Sequence, residues 1–288
     1  MREGNIEKSK DRLEILEEID RLEREGKFDV DPEKDPPTIV LLPDDIDYLR
    51  TKSNDKIKSK VATKIGEKLV DELLKSNKLI IKDVKGLENL ENVKTGAIIT
   101  CNHFNPFDSF TVEKVFRMTS HIKNKKLHKV IREGNYTNFP GLYGFFFRNC
   151  DTLPLSSNKQ TMIKFMKAVD EILQRGDFIL IYPEQSLWWN YRKPKPLKDG
   201  AFRFAVRNNV PVVPIFITMQ DSEIIGDDGF PIQEYIVNVE KPIYQNEELS
   251  EKENVENMKN KNYEVWKKIY EDFYKIPLEY TTEIKEKI

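Results

Sequence analysis

Ala97-Ile98-Ile99-Thr100-Cys101-Asn102-His103-Phe104-Asn105-Pro106-Phe107-Asp108 runs from an apolar segment of strand length into polar residues across an Asn-Pro break. A strand, a loop and a helix start in that order read as one step of a layered α/β domain. Asn is a favourable N-cap and Pro a favourable first helical residue, so the spacing predicts a helix opening at Asn105-Pro106. Asp108 then falls in the first turn, where its carboxylate can reach back to the cap and complement the helix dipole. His103 and Asp108 stand five positions apart, whereas neighbours on one helix face are three or four apart. For the two to touch, the chain between them must turn. A carboxylate that holds one imidazole nitrogen leaves the other to take a proton, so the pair is a candidate general base. A capping aspartate beside a loop histidine fits the same residues, and Asp108 can do both jobs at once. Cys101 lies two before His103, so a Cys–His nucleophile is a third reading, against the commoner buried strand cysteine.

Outward from this segment the pattern keeps alternating. Strands are expected at 79–82, 129–131, 177–182 and 211–218, with 235–239 as an edge strand. Helices are expected at 107–118, 139–148, 158–175 and 198–208, and a final helix at 250–275. Arg175-Gly176 is a stop signal ahead of the strand at 177–182. The order implies an α/β class with a mostly parallel sheet flanked by helices. Upstream, 9–25 reads as a charged helix, and 29–43 as an irregular connector rich in Pro and Asp, including Asp35-Pro36-Pro37. Residues 55–76 read as an amphipathic helix with Ile57, Val61, Ile65, Leu69, Leu73 and Leu74 on one face and lysines on the other. That helix either packs on the core or lies on an anionic membrane surface. The chain divides into an N-terminal helical region with its connector (1–78), an α/β core (79–245) and a C-terminal helix (246–288).

The 288 residues carry a net charge of -2 with 33% charged residues, a mixed surface that does not point to a nucleic-acid partner. The N-terminus lacks the apolar run of a secretory signal, and no stretch approaches the ~20 apolar residues of a membrane span. Any membrane contact is therefore expected to be peripheral. Cys101 and Cys150 make no disulfide framework and fit a reducing compartment. His103, His121 and His128 match no zinc spacing, so neither metal nor cofactor is expected.

A second constellation follows the strand at 177–182: Tyr182-Pro183-Glu184-Gln185-Ser186, then Leu187-Trp188-Trp189-Asn190-Tyr191-Arg192-Lys193. Pro196-Leu197-Lys198-Asp199-Gly200 and Val210-Pro211-Val212-Val213-Pro214 come next. These blocks and Asn102-His103 through Asp108, in this order over roughly 79–240, resemble the glycerolipid acyltransferases of the 1-acylglycerol-3-phosphate O-acyltransferase (PlsC-type) superfamily. That family has N-H-x4-D, F-P-E-G-T-R, P-F-K-x-G and V-P-V-V-P at the corresponding places.

The resemblance implies a glycerol-3-phosphate acyltransferase-like fold with an N-terminal helical extension. It implies phospholipid-synthesis chemistry, in which a histidine base activates an acceptor hydroxyl for attack on an acyl thioester. His103 and Asp108 become the catalytic pair, and acyl-CoA or acyl-carrier protein becomes the co-substrate. Glu184, Gln185 and Ser186 become acceptor-site residues, with Arg192, Lys193 and Lys198 as anion contacts. A peripheral position at the inner, cytoplasmic face of the membrane goes with it. The family arginines that hold phosphate are replaced here: Ser156 stands at one place and Leu187 at the other. Neither supplies an Arg fork. Either Arg148, Arg192, Lys193 or Lys198 supplies the charge, or the acceptor is a glycolipid or another alcohol or amine. A lipid-binding relative without turnover is the non-enzymatic rival. The aromatic block at 188–193 fits an amphipathic acceptor, an interfacial contact or a packed loop. Residues 139–148 are core, an acyl tunnel lining or a bilayer contact.

Overall fold

The computed structural model describes residues 7–33, 38–119 and 124–283; His121 and Asp35-Pro36-Pro37 lie outside them. In chain order the elements are α1 (Lys10–Arg24), α2 (Ser53–Lys75), β1 (Ile80–Lys85), α3 (Glu88–Glu91), β2 (Ala97–Thr100), α4 (Asp108–Met118), β3 (Leu127–Ile131) and α5 (Glu133–Asn138). Then come α6 (Gly141–Asn149), β4 (Thr152–Pro154), α7 (Lys159–Gln174), β5 (Phe178–Ile181), α8 (Gly200–Arg207), β6 (Val212–Ile225), β7 (Pro231–Val239) and α9 (Glu251–Tyr274). The strands form one sheet in the order β1-β7-β6-β2-β5-β3-β4. Every neighbouring pair is parallel except β6 and β7. The carboxyl ends of β6, β2, β5, β3 and β4 therefore point one way, and sites in open α/β sheets gather at such an edge.

Period-two alternation explains the two-faced core. Ile99, Phe178, Leu180, Val213, Ile215 and Ile217 face one side, with Val112, Val115 and Phe116 of α4. Ile98, Ile179 and Val212 face the other, against Phe165, Val169 and Ile172 of α7 and Phe202 of α8. All of β2 is buried, as expected of a central parallel strand covered on both faces. α7 stops at Arg175, and Gly176 takes φ +79, a left-handed turn that glycine enters without steric cost.

Two expectations need correction. β7 is not an edge strand: β1 pairs with it in parallel, and Tyr235, Val237 and Val239 enter the core. The apolar face of α2 is divided: Ser59, Ala62, Gly66 and Val70 turn inward, while Ile57, Val61 and Ile65 are 60%, 46% and 41% exposed. Small residues bring α2 close to its neighbours, α4 and α6, and the β-branched stripe is rotated out to solvent. α1 docks on the core, with Ile19 and Leu22 buried against Trp188 and Trp189.

Candidate active site

The loop after β2 turns sharply enough for His103 to meet Asp108. Asn105 Oδ1 accepts the Phe107 N–H at 3.0 Å, an Asx turn that postpones the helix to Asp108. The expected cap is therefore a turn residue, and Asp108 is the first helical residue rather than the third. Asp108 Oδ2 lies 2.7 Å from His103 Nδ1 and also accepts from the Phe104 and Asn105 amides at 3.1 and 3.3 Å. Its Oδ1 accepts the Tyr182 hydroxyl at 2.7 Å. Four donors thus converge on one buried carboxylate at a helix N-terminus, so it caps and orients together. The Tyr182 ring stacks on the His103 ring at 4.0 Å with 20° between planes, fixing the imidazole from a second side. With Nδ1 on Asp108, Nε2 is the nitrogen available to accept a proton. The His103 side chain is 24% exposed, so the ring is partly open to solvent.

Glu184 braces this loop against the next. Its Oε2 accepts the His103 amide at 3.0 Å, and its Oε1 accepts the Lys195 amide at 2.8 Å. Lys195 Nζ sits 3.6 Å from Glu184 Oε2 and donates to Ser186 O and Oγ at 2.6 and 2.7 Å. Both side chains are almost fully buried. Burial pushes the Glu184 carboxyl up and the Lys195 ammonium down to about 8, because each charge has lost its water. Of the three expected acceptor-site residues, Glu184 and Ser186 are enclosed and engaged by protein groups, and Gln185 is exposed. Gln185 takes φ +70 where the related block has glycine, which explains why that position favours a residue without a Cβ.

The expected anion contacts are committed to carboxylates. Arg192 pairs with Asp221 at 2.6 Å, Lys193 with Glu23 at 2.6 Å and Lys198 with Asp29 at 2.7 Å. Arg148 donates to the Tyr136 and Phe139 carbonyls. Trp188 and Trp189 are buried under α1, so the aromatic block is a packed loop. Cys101 is fully buried, and burial with the nearby Asp108 and Glu184 charges pushes its thiol well up, which removes the thiolate a nucleophile needs.

Tyr182, Lys195 and Arg132 escaped the sequence reading. Arg132 follows the last residue of β3 at the carboxyl edge and reaches Asp31 and, at 3.4 Å, the Gln185 carbonyl. Its position just past a strand end was the available signal. Lys195 offered none, since its burial depends on how 186–195 folds back.

Residues 82–218, from β1 into β6, match the family model described as Acyltransferase. Over this region, just under half of the chain, the protein is similar to the acyltransferases. A chloroplastic 1-acyl-sn-glycerol-3-phosphate acyltransferase from Brassica napus is 26% identical over 166 residues, 56% of this chain. The match spans 45% of that relative, under half of its length. The crystal structure of the 1-acyl-sn-glycerophosphate acyltransferase PlsC from Thermotoga maritima is also similar, at 18% identity and a TM-score of 0.45. That match covers 76% of this chain and 85% of PlsC. The matched region contains His103, Asp108, Tyr182, Glu184 and Lys195, the residues that form the braced site.

Proposed function

We propose that this chain transfers an acyl group from a thioester, on coenzyme A or an acyl-carrier protein, to a hydroxyl of a lysophospholipid, with His103 as general base. The observation that carries the reading is the 2.7 Å contact of His103 Nδ1 with a fully engaged Asp108. It leaves Nε2 as the nitrogen for proton transfer. The acceptor hydroxyl gives its proton to Nε2 while its oxygen attacks the thioester carbonyl. The carbon–sulfur bond then breaks, and the imidazolium returns the proton to the leaving thiolate. Asp108 stabilises the imidazolium in between. The Glu184 brace keeps the histidine main chain fixed during both transfers, so positioning is built in before substrate arrives.

A membrane setting accompanies this reading. Ile57, Val61 and Ile65 of α2 and Leu142 and Tyr143 of α6 are exposed on two helices that pack together. Lys56, Lys60, Lys64 and Lys68 flank the α2 stripe. Apolar side chains bordered by lysines suit an anionic bilayer surface. No described helix is long and apolar enough to cross a membrane, so the contact would be peripheral. The free Cys101 and Cys150 support placing it on the inner, cytoplasmic face.

The test offers labelled acyl-CoA with lysophosphatidate and, in parallel, neutral lyso-lipids. His103→Ala should lower kcat by about 10²–10⁴-fold, the usual worth of a general base. Cys101→Ala should retain transfer. Undiminished transfer by His103→Ala would overturn the mechanism. Transfer confined to neutral lipids would favour the second reading, a non-phosphate acceptor, which Ser156 and Leu187 at the arginine places support.

A further inference from the structure

Residues 28–31 lie across the turn that carries Glu184. Ser186 Oγ donates to the Phe28 carbonyl at 2.6 Å, and Trp188 Nε1 donates to the Val30 carbonyl at 2.8 Å. The Leu187 amide donates to Asp31 Oδ1 at 2.9 Å, and the Phe28 ring stacks on Trp188 at 5.6 Å. These bonds anchor the strap through two main-chain carbonyls, one aromatic ring and one oxygen of Asp31. Its two carboxylates also meet cations. Asp29 pairs with Lys198, and Asp31 Oδ2 pairs with Arg132. The Lys198 amide is itself bonded to the Pro183 carbonyl at 2.9 Å, so both cations flank the 183–187 turn beside His103. A short acidic strap thus places two negative charges on two positive ones at the mouth of the site.

Strand order fixes the scale. β5 lies between β2 and β3, and adjacent strands are about 4.8 Å apart. The positions just past β2 and β3 are therefore about 10 Å apart. A glycerol unit carrying a free hydroxyl and a phosphomonoester on neighbouring carbons spans such a gap once a hydrogen bond is added on each side. Arg132 presents the planar fork that phosphate takes in paired hydrogen bonds. Its side chain is 42% exposed, so a ligand can reach it.

Resting on the acyl-transfer reading, we propose that Arg132, flanked by Lys198, is the anchor for the acceptor's phosphomonoester, and that Asp31 occupies this anchor until the phosphate displaces it. Arg132 thereby takes over the task left open by Ser156 and Leu187, and the strap acts as an internal competitor. An acceptor without phosphate has nothing to offer Arg132 and leaves the strap closed. Asp31→Asn tests the competitor cleanly, because an asparagine Oδ1 still accepts the Leu187 amide while the charge is gone.

The readout is the ratio of kcat/KM for lysophosphatidate to kcat/KM for monoacylglycerol, with KM for acyl-CoA recorded as a control. Arg132→Gln should lower that ratio by about tenfold or more, the worth of a hydrogen-bonded charge pair. Arg132→Lys should fall between, since it keeps the charge and loses the fork. Asp31→Asn should raise the ratio by about two- to fivefold, the range of a half-exposed ion pair. A ratio unmoved in Arg132→Gln, or lowered in Asp31→Asn, overturns the proposal, and so does a shift confined to acyl-CoA. Calorimetric titration with glycerol 3-phosphate, with inorganic phosphate and glycerol as comparisons, separates this proposal from the reading beneath it. Affinity for glycerol 3-phosphate that weakens in Arg132→Gln and tightens in Asp31→Asn supports the anchor even if no acyl transfer is found. Affinity indifferent to both variants sinks the anchor even if transfer is robust.

Discussion

Replacing Glu184 with alanine removes the carboxylate that ties the two loops of the site together. Two amides, a part-buried one of His103 and a buried one of Lys195, lose their acceptors, and each unsatisfied N–H costs about 1–3 kcal/mol when water cannot replace the bond. Lys195 also loses its counter-charge, but its ammonium already titrates at about 8. Shedding that proton near neutral pH costs on the order of 1 kcal/mol, which limits the charge contribution. The neutral amine still donates to Ser186. The sum, after some relaxation, is about 3–5 kcal/mol, a large share of the roughly 5–15 kcal/mol that folds a domain. Glu184→Gln should lose less, about 1–3 kcal/mol, because one amide keeps an acceptor while the new NH2 confronts the other. Urea unfolding followed by tryptophan fluorescence measures both variants, with the slope m as the check that the transition is unchanged. A Glu184→Ala protein within about 1 kcal/mol of the parent, with a raised acceptor KM, would refute the reasoning. That pattern would make Glu184 an acceptor contact and not a brace.

Asp108→Asn should lower kcat by about 10²–10⁴-fold, since an amide in place of the carboxylate opposes one of the four donors that meet there. A kcat near that of the parent in steady-state assays would reduce Asp108 to a helix cap. Changing Ile57, Val61 and Ile65 together to Gln should abolish most sedimentation with anionic vesicles, while unfolding free energy moves by less than about 0.5 kcal/mol, as for exposed positions. Unaltered sedimentation would remove α2 from the membrane contact. Lys195 titrates lower in the folded than in the unfolded chain, about 8 against an ordinary 10.5. The unfolded state therefore binds the extra proton between those values, and folding stability gains up to about 3 kcal/mol as pH rises through the window. The gain should vanish in a Glu184→Gln/Lys195→Met double variant, and its persistence there would assign it to other groups.

How far the sequence was legible depends on how local the cause is. β2, β5 and the buried first half of β6 were readable because each is a short apolar run bounded by turn residues, and such a run needs no partner to be recognised. The His103–Asp108 pair was readable for the same reason: its turn is made by Asn105 within the same six residues. β4 went unread, since three residues ending in Pro154 carry no period. β7 was misplaced at the edge because its position depends on β1, which lies about 150 residues earlier. The ion pairs of the candidate cations were likewise out of reach of the sequence. Lys193 and Lys198 find Glu23 and Asp29 about 170 residues away, and no local pattern announces such a pairing. For Trp188 and Trp189 the sequence left acceptor contact, interfacial contact and packed loop open, and the choice rests on α1, which covers them from far upstream.

The buried Glu184–Lys195 pair is hard to explain as a stabiliser. Both groups are shifted toward their neutral forms, which means that folding pays for their desolvation. Apolar side chains of similar volume would pack the same space at lower cost, yet they could not accept the His103 and Lys195 amides with two oxygens of one carboxylate. Those bonds fix two loops at the carboxyl edge without touching the imidazole. The ring is fixed separately, by Asp108 below and Tyr182 alongside. Main chain and side chain of the base are thus held by different residues, so Nε2 keeps its direction when an acceptor binds. On this view the brace trades stability for a stationary base. Variants that relax the brace should then lose kcat before they lose acceptor affinity, the opposite order from variants at Arg132.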